Sequence, residues 1–280
     1  MRLSKRRKSE FRKAILDYYA VWGRSFPWRY ASAPDPWGVL VSEYMLQQTQ
    51  TRRVIPYWER WMRLWPAPRD LAGAPLETVL KEWSGLGYNR RAQKLRECAG
   101  AITERYRGEV PQTPEELITL PGIGPYTSGA VACFAWNYPA VFLETNIRSV
   151  YIHFFFQEKT GVEDKELFPL VRETLDWSNP RVWYWALMDY GAELKKLTPN
   201  PGRKSLHYAR QSPFEGSFRQ IRGALIRVLS QEGPRNAGAL RGEIQKTLKD
   251  VKDEDYARAL EALEKEMMVA EEQGVYRIRG

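Results

Sequence analysis

Two stretches of the chain set a carboxylate among neighbours that a surface glutamate does not usually keep. Ser42-Glu43-Tyr44-Met45-Leu46-Gln47-Gln48-Thr49-Gln50 reads as the opening of a helix, with Glu43 near its start and a cluster of amides one turn later. Phe142-Leu143-Glu144-Thr145-Asn146-Ile147-Arg148 places a second carboxylate after the helix that follows a glycine hairpin. A single glutamate is most often just solvated, and either one alone would be read so. The hairpin is Leu120-Pro121-Gly122-Ile123-Gly124, whose glycines allow a tight turn and expose consecutive N–H groups at a helix N-terminus. Such a nest suits a phosphate, and a Cβ there would obstruct a close approach. Glycine turns before helices are common, so this one gains meaning only from its company. Binding a polyanion calls for cations and gains nothing from buried carboxylates. Their use would be proton transfer or stabilisation of developing positive charge.

The elements that must position these groups read almost entirely as helix, with apolar residues three and four apart and Pro or Gly at the joints. Thr113-Pro114-Glu115-Glu116 carries a start signal, Thr as cap and Glu116 reaching back to the capping amide, which predicts a helix over about 114–120. The hairpin follows, then a second helix through Tyr126 to Trp136. Asn179-Pro180 is expected to cap a helix with Trp183, Leu187 and Tyr190 on its apolar side. Beyond it Pro199, Pro201, Gly202, Pro213 and Gly216 mark a connector. Three amphipathic stretches at about 217–231, 237–249 and 253–267 come next, then short strands at Met268–Ala270 and Val275–Ile278 around Gln273-Gly274. Three helices closed by a hairpin resemble a winged helix. The expected divisions are 1–196, 197–216 and 217–280.

Composition narrows the classes further. The 280 residues are 43% hydrophobic, with 11 Trp, 15 Tyr and 10 Phe, which is ample for a core and excludes a disordered chain. The net charge of +9 in an aromatic-rich chain suits the backbone and stacked bases of nucleic acid. No apolar run approaches the roughly 20 residues that span a bilayer, so no membrane partner is expected. Cys98 and Cys133 are too few for a disulfide framework or a four-thiolate metal site. Met1–Lys8 is basic with no apolar signal core behind it, and the expected place is the cytoplasm, with the nucleoid in a prokaryote. His153 and His207 are isolated and read as packing or surface residues, with no metal expected.

Val41–Gln50, Trp83–Tyr88, Leu120–Gly124 and Glu144–Val150 resemble, in order and spacing, the corresponding blocks of the adenine mismatch glycosylases of the helix-hairpin-helix superfamily. The endonuclease III group is a more distant likeness, and the similarity runs from about Phe11 to about Leu194. The resemblance implies a mainly α, two-lobed glycosylase domain, here followed by the small winged-helix-like domain. It also implies a monomer acting on duplex DNA that contains a mismatch or lesion, cutting the glycosidic bond of adenine opposite guanine or oxidised guanine. Excision of thymine, uracil or a damaged base is the alternative on the same fold, and a non-catalytic mismatch binder the alternative from another class.

Carried over by position, Glu43 matches the acid that protonates the departing adenine and then assists the attacking water. Glu144 stands where the family usually has Asp, opposing the positive charge of an oxocarbenium-like sugar, with Asn146 beside it to fix its orientation. Tyr126 falls where lyase-active relatives carry a Schiff-base lysine, which implies a monofunctional enzyme. Gln47 and Gln48 match amides that enter the duplex, and Tyr88 an inserted aromatic. Gly122, Gly124 and Thr127 of the hairpin, and Arg29 of Phe26-Pro27-Trp28-Arg29, complete the implied DNA contacts, while Trp28 reads as core. A monovalent cation at the hairpin is left open.

Two departures follow. Where the family usually has four cluster cysteines, this chain has Glu193-Leu194-Lys195-Lys196 and a basic loop, so no iron–sulfur cluster is expected. Lys195, Lys196, Arg203, Lys204 and Arg210 are candidates for the missing loop's phosphate contacts, and equally for plain solvation. The C-terminal part is too short and helical for a dedicated oxidised-guanine domain. Its Arg222, Arg227, Arg235, Arg241 and Lys246 suit phosphates, and a protein contact is the equal alternative.

Overall fold

Helical periodicity runs through nearly the whole chain, and helices dominate the computed structural model, which describes residues 2–30, 33–209, 213–248 and 251–280. In chain order they are α1 (Lys5–Trp22), α2 (Pro36–Leu46), α3 (Thr51–Leu64), α4 (Pro68–Ala72), α5 (Leu76–Trp83), α6 (Arg90–Tyr106) and α7 (Pro114–Leu117). Then follow α8 (Pro125–Trp136), α9 (Thr145–Phe155), α10 (Asp164–Thr174), α11 (Pro180–Leu197), α12 (Phe218–Glu232), α13 (Ala237–Thr247) and α14 (Asp253–Lys265). Strands β1 (Arg235–Asn236), β2 (Val269–Glu272) and β3 (Val275–Ile278) form one antiparallel sheet of order β1-β3-β2. The mainly α class is as expected. The chain divides into two compact units, the first drawn from residues 1–39, 111–119 and 123–210, the second from 40–110, 120–122 and 211–280.

In the first unit α11 packs on α9, α1 and α8. The core is aromatic: Phe11, Tyr151, Trp183 and Tyr184 lie among Ile15, Ile147, Val150 and Leu187. Phe142 stacks on Tyr184 with centroids 3.9 Å apart. The Tyr184 hydroxyl donates to the Ala140 carbonyl at 3.0 Å and accepts from the Phe142 N–H at 3.3 Å. One buried phenol thus fixes the extended segment that leads to Glu144. Gly129 makes this fit possible, since a Cβ on it would come within 3.1 Å of the Phe142 ring.

One helix end and one cap differ from expectation, while Thr113 caps its helix as expected, accepting from Glu116 N–H at 3.3 Å. The helix begun at Pro114 ends at Leu117, short of residue 120, because the Thr119 hydroxyl donates to the Glu116 carbonyl and Leu120 precedes a proline, which disfavours the α conformation. Helix α11 starts at Pro180 as expected, yet Asn179 makes no side-chain cap bond. Its place is taken by Asn137, whose amide oxygen accepts from Arg181 N–H at 3.1 Å while its own backbone, at φ 57°, ends α8. A cap supplied from a distant turn leaves no local mark in sequence.

The second unit packs α4 and α5 against α6, with Trp61 edge-on to both Trp65 and Trp83. Helix α12 buries Ile221, Leu225, Val228 and Leu229, and it packs on α5 as well as on α13, α14 and β3. The three C-terminal helices and strands β2 and β3 lie where the periodicity places them, while the two-residue β1 carries no periodic signal. Among the described residues no helix is long and apolar enough to cross a membrane.

Candidate active site and nucleic-acid interface

Glu43 lies in the last turns of α2, not near a helix start as the sequence suggests. The helix begins at Pro36, and Asp35 caps it, its carboxylate accepting from Trp37 N–H at 3.2 Å and Gly38 N–H at 2.9 Å. Asp35-Pro36 is a legible start signal that a reading begun at Ser42 passes over. The consequence is burial: Glu43 is only 4% exposed, between Ser42 and Tyr44 at 1% each. Such burial of a carboxyl is costly and marks a group kept for a purpose.

The hairpin is tied to this helix by Tyr44, whose hydroxyl donates to the Pro121 carbonyl. Gly122 has φ +78°, and a Cβ there would press on Lys94 Cβ at 2.8 Å and Tyr44 Oη at 3.0 Å. Gly124 is different, because a Cβ on it would meet nothing within 4 Å. Among the described residues no packing demands that glycine. It precedes α8, whose first N–H groups have no acceptor within the helix. Thr127 is buried on α8, and the Tyr126 ring lies edge-on to Phe142 at 5.7 Å.

Helix α2 stops at Leu46, so the expected amide cluster occupies a turn, with Gln48 exposed at φ 55°. One side chain holds this turn against the loop bearing Tyr88. Arg91 donates through Nη1 to the carbonyls of Tyr44 at 2.8 Å, Met45 at 3.0 Å and Gln47 at 2.6 Å. Through Nη2 it reaches Thr49 Oγ1 at 3.1 Å and the carbonyls of Leu86 at 3.1 Å and Gly87 at 3.0 Å. Burial pushes its guanidinium down to about 10. Sequence reasoning missed it. The only cue is an arginine in the first turn of α6, where the helix dipole disfavours a cation.

Tyr88 itself adopts φ 48°, after Gly85 at φ 108° and Gly87 at φ 72°. A left-handed tyrosine costs on the order of 1–3 kcal/mol, so the surroundings impose the conformation. Its ring lies 5.5 Å from the Arg91 guanidinium and 5.2 Å from that of Arg219 on α12, and Arg219 donates to its hydroxyl. Gln47, Gln48, Tyr88, Phe218, Arg219 and Arg222 border a groove of about 1160 Å³ within the second unit.

In the first unit Glu144 is the N-cap of α9. Its Oε1 accepts from the N–H groups of Asn146 at 2.7 Å and Ile147 at 2.8 Å, and its Oε2 from Asn146 Nδ2 at 3.2 Å. The extra methylene relative to aspartate does not prevent capping. The Asn146 amide oxygen accepts in turn from Lys195 Nζ at 2.8 Å. Burial lowers the Lys195 ammonium's affinity for its proton, and the nearby Glu144 charge raises it.

Arg29 is buried, its Nη1 3.1 Å from Asp189, a carboxylate that also accepts from Arg24 N–H at 2.7 Å. Trp28 stacks on Phe26 with centroids 5.4 Å apart. The C-terminal bases each have a partner: Arg222 pairs with Glu266, Arg235 with Glu232, Arg241 with Asp253 and Lys246 with Glu243, and Arg227 donates to Thr247. Lys196 pairs with Glu193, Lys204 donates to the Gln157 carbonyl, and Arg203 N–H donates to the Asn200 carbonyl. Arg210 lies outside the described residues. Cys98 and Cys133 are both buried, and burial pushes the Cys98 thiol up to about 12. An iron–sulfur cluster takes four thiolates, and these residues do not fit one. Among the described residues no group of three or more His, Cys, Asp or Glu side chains could hold a metal ion.

The HhH-GPD superfamily base excision DNA repair protein model matches residues 41–173. The chain is 46% identical over 136 residues to an adenine DNA glycosylase of Mycobacterium tuberculosis, covering 49% of this chain and 44% of the relative. It is 35% identical over 233 residues to one of Mycolicibacterium smegmatis, covering 77% of this chain and 78% of the relative. The match thus spans less than half the length of the first relative. A thermostable thymine-DNA glycosylase superposes with TM-score 0.59 at 26% identity, over 67% of this chain and 87% of that one. An endonuclease III in complex with DNA gives 0.56 at 19% identity over 77% and 92%, a likeness of fold.

Proposed function

The chain belongs to the adenine DNA glycosylases of the HhH-GPD superfamily, and on that premise we propose that it excises adenine mispaired with guanine or oxidised guanine in duplex DNA. The observation that carries the reading is Glu43, a carboxyl 4% exposed on a helix whose next residue bonds the hairpin. In this scheme the hairpin and the N-terminus of α8 take a backbone phosphate, and the open space beside Gly124 is the clearance it needs. Tyr88 and the Gln47-Gln48 turn offset the few kcal/mol of unstacking a base.

As the bond from C1′ to the base breaks, its electron pair leaves with the base, which takes the Glu43 proton. The Glu144 carboxylate opposes the charge left on the sugar. Water then adds at C1′ and its proton returns to Glu43. Tyr126 offers a phenol and no amine, so no imine forms and the reaction ends at an abasic site. The chain acts as a monomer without an iron–sulfur cluster. The thymine-DNA glycosylase likeness supports a second reading, in which the base removed is thymine. Duplexes with adenine opposite guanine or oxidised guanine, and thymine or uracil opposite guanine, followed by alkali and gel separation, test both. Strand breaks confined to the adenine duplexes are expected. Cutting only at thymine or uracil would replace the first reading by the second.

A further inference from the structure

Helix α11 meets Asn146, in the N-terminal turn of α9, at two points. At Gly191 the backbones nearly touch: a Cβ there would sit 2.4 Å from the Asn146 carbonyl oxygen and 2.9 Å from its Cβ. One turn further along α11, on the same face, Lys195 reaches the Asn146 side chain at 2.8 Å. The glycine sets the separation and the lysine uses it. Just beyond, Gly202 lies against the same helix, where a Cβ would come within 2.8 Å of Ser149 Oγ.

The two ends of an asparagine amide are nearly alike in shape, so its direction is set by its partners. An ammonium can only donate, so Lys195 takes Oδ1. An ionised carboxylate can only accept, so Nδ2 must face Glu144, as it does at 3.2 Å. With Lys195 gone, no other bond to Oδ1 among the described residues opposes a half-turn that would set oxygen against the carboxylate. The ammonium bonds the amide and not Glu144 itself, so it orders the carboxylate without quenching it by direct pairing. Arg148, the other cation near Glu144, is occupied by Asp164 through two bonds of 2.7 and 2.8 Å.

We infer that Lys195 is a positioning residue for Glu144, acting through the Asn146 amide to hold the carboxylate where a cationic sugar develops. The inference rests on the charge-opposing role given to Glu144 under the proposed function. The probes are two duplexes, one with a cationic pyrrolidine in place of the sugar, the other with uncharged tetrahydrofuran. The natural protein should favour the cationic duplex. The Lys195 ammonium is engaged at Asn146 Oδ1, so Lys195→Met should cut that preference by about tenfold while binding to the uncharged duplex falls far less, equal loss of both being the mark of a phosphate contact instead, and Lys195→Arg should restore much of it. In an Asn146→Ala background Lys195→Met should have no further effect. Three results would overturn the inference: a preference that survives in Lys195→Met, equal loss of both duplexes with a lower melting temperature in Met and Arg variants alike, or additive effects in the double variant. A natural protein with no preference for the cationic duplex would remove the role of Glu144 itself, and the inference with it.

Discussion

The Arg91 guanidinium donates to the Gln47 carbonyl at 2.6 Å and to the Gly87 carbonyl at 3.0 Å, fastening the glutamine turn to the Tyr88 loop. Lysine in its place keeps a charge but has no planar fork to serve carbonyls on both sides. Arg91→Lys should therefore cost about 2 kcal/mol of stability and lower single-turnover excision roughly tenfold or more. 2-Aminopurine beside the target should brighten less on binding. Full brightening in that variant would show that Arg91 does not hold Tyr88 and the glutamine turn in place.

If Glu43 is the acid proposed above, Glu43→Gln preserves shape and removes the proton offered to the leaving base. Affinity for mismatched duplex should persist while excision falls by a factor on the order of 10²–10⁴. Undiminished excision would falsify the assignment of Glu43 as the acid.

Product strands should break only after alkali or heat, because Tyr126 supplies no amine for an imine. Borohydride added during turnover should trap no covalent complex. Efficient trapping would mean that a lysine elsewhere reaches the sugar.

Asp164 is held below its ordinary 3.8 chiefly by its hydrogen bonds to Arg148, against the opposing effect of burial. The stability from this lowered pKa is present above about 3.8 and is lost as pH falls through the folded-state value. Asp164→Asn should cost about 1 kcal/mol at neutral pH, a modest figure because the pair is partly hydrated. Urea melts at falling pH should show the gap closing. A gap unchanged into the acid range would indicate that the loss has another origin.

What the sequence made legible follows from period and punctuation. The hairpin, α8 from Pro125 to Trp136 and the C-terminal helices announce themselves through apolar spacing, Pro and Gly. Glu43 and Glu144 stand out through their neighbours. What escaped is set by partners distant along the chain. Arg91 finds its acceptors at the C-terminal end of α2 and in a glycine loop, and backbone carbonyls carry no residue identity. Asn137 caps a helix that begins 43 residues later. The start of α2 escaped for a simpler reason, since Asp35-Pro36 lies just outside the block that draws the eye.

The seating of α12 on α5 has a consequence for how the chain can be divided. Cut after residue 216, the protein would lose the partner of an apolar helix face, and the protein left behind would stick to itself or be digested. With α12 packed on α5, the C-terminal portion should not behave as an exchangeable module, in the sense of a domain on a tether. Loss of activity after such a cut would mix recognition with solubility. Single replacements on the exposed side of α12 separate the two, and homologues that differ in this portion should differ in α5 as well.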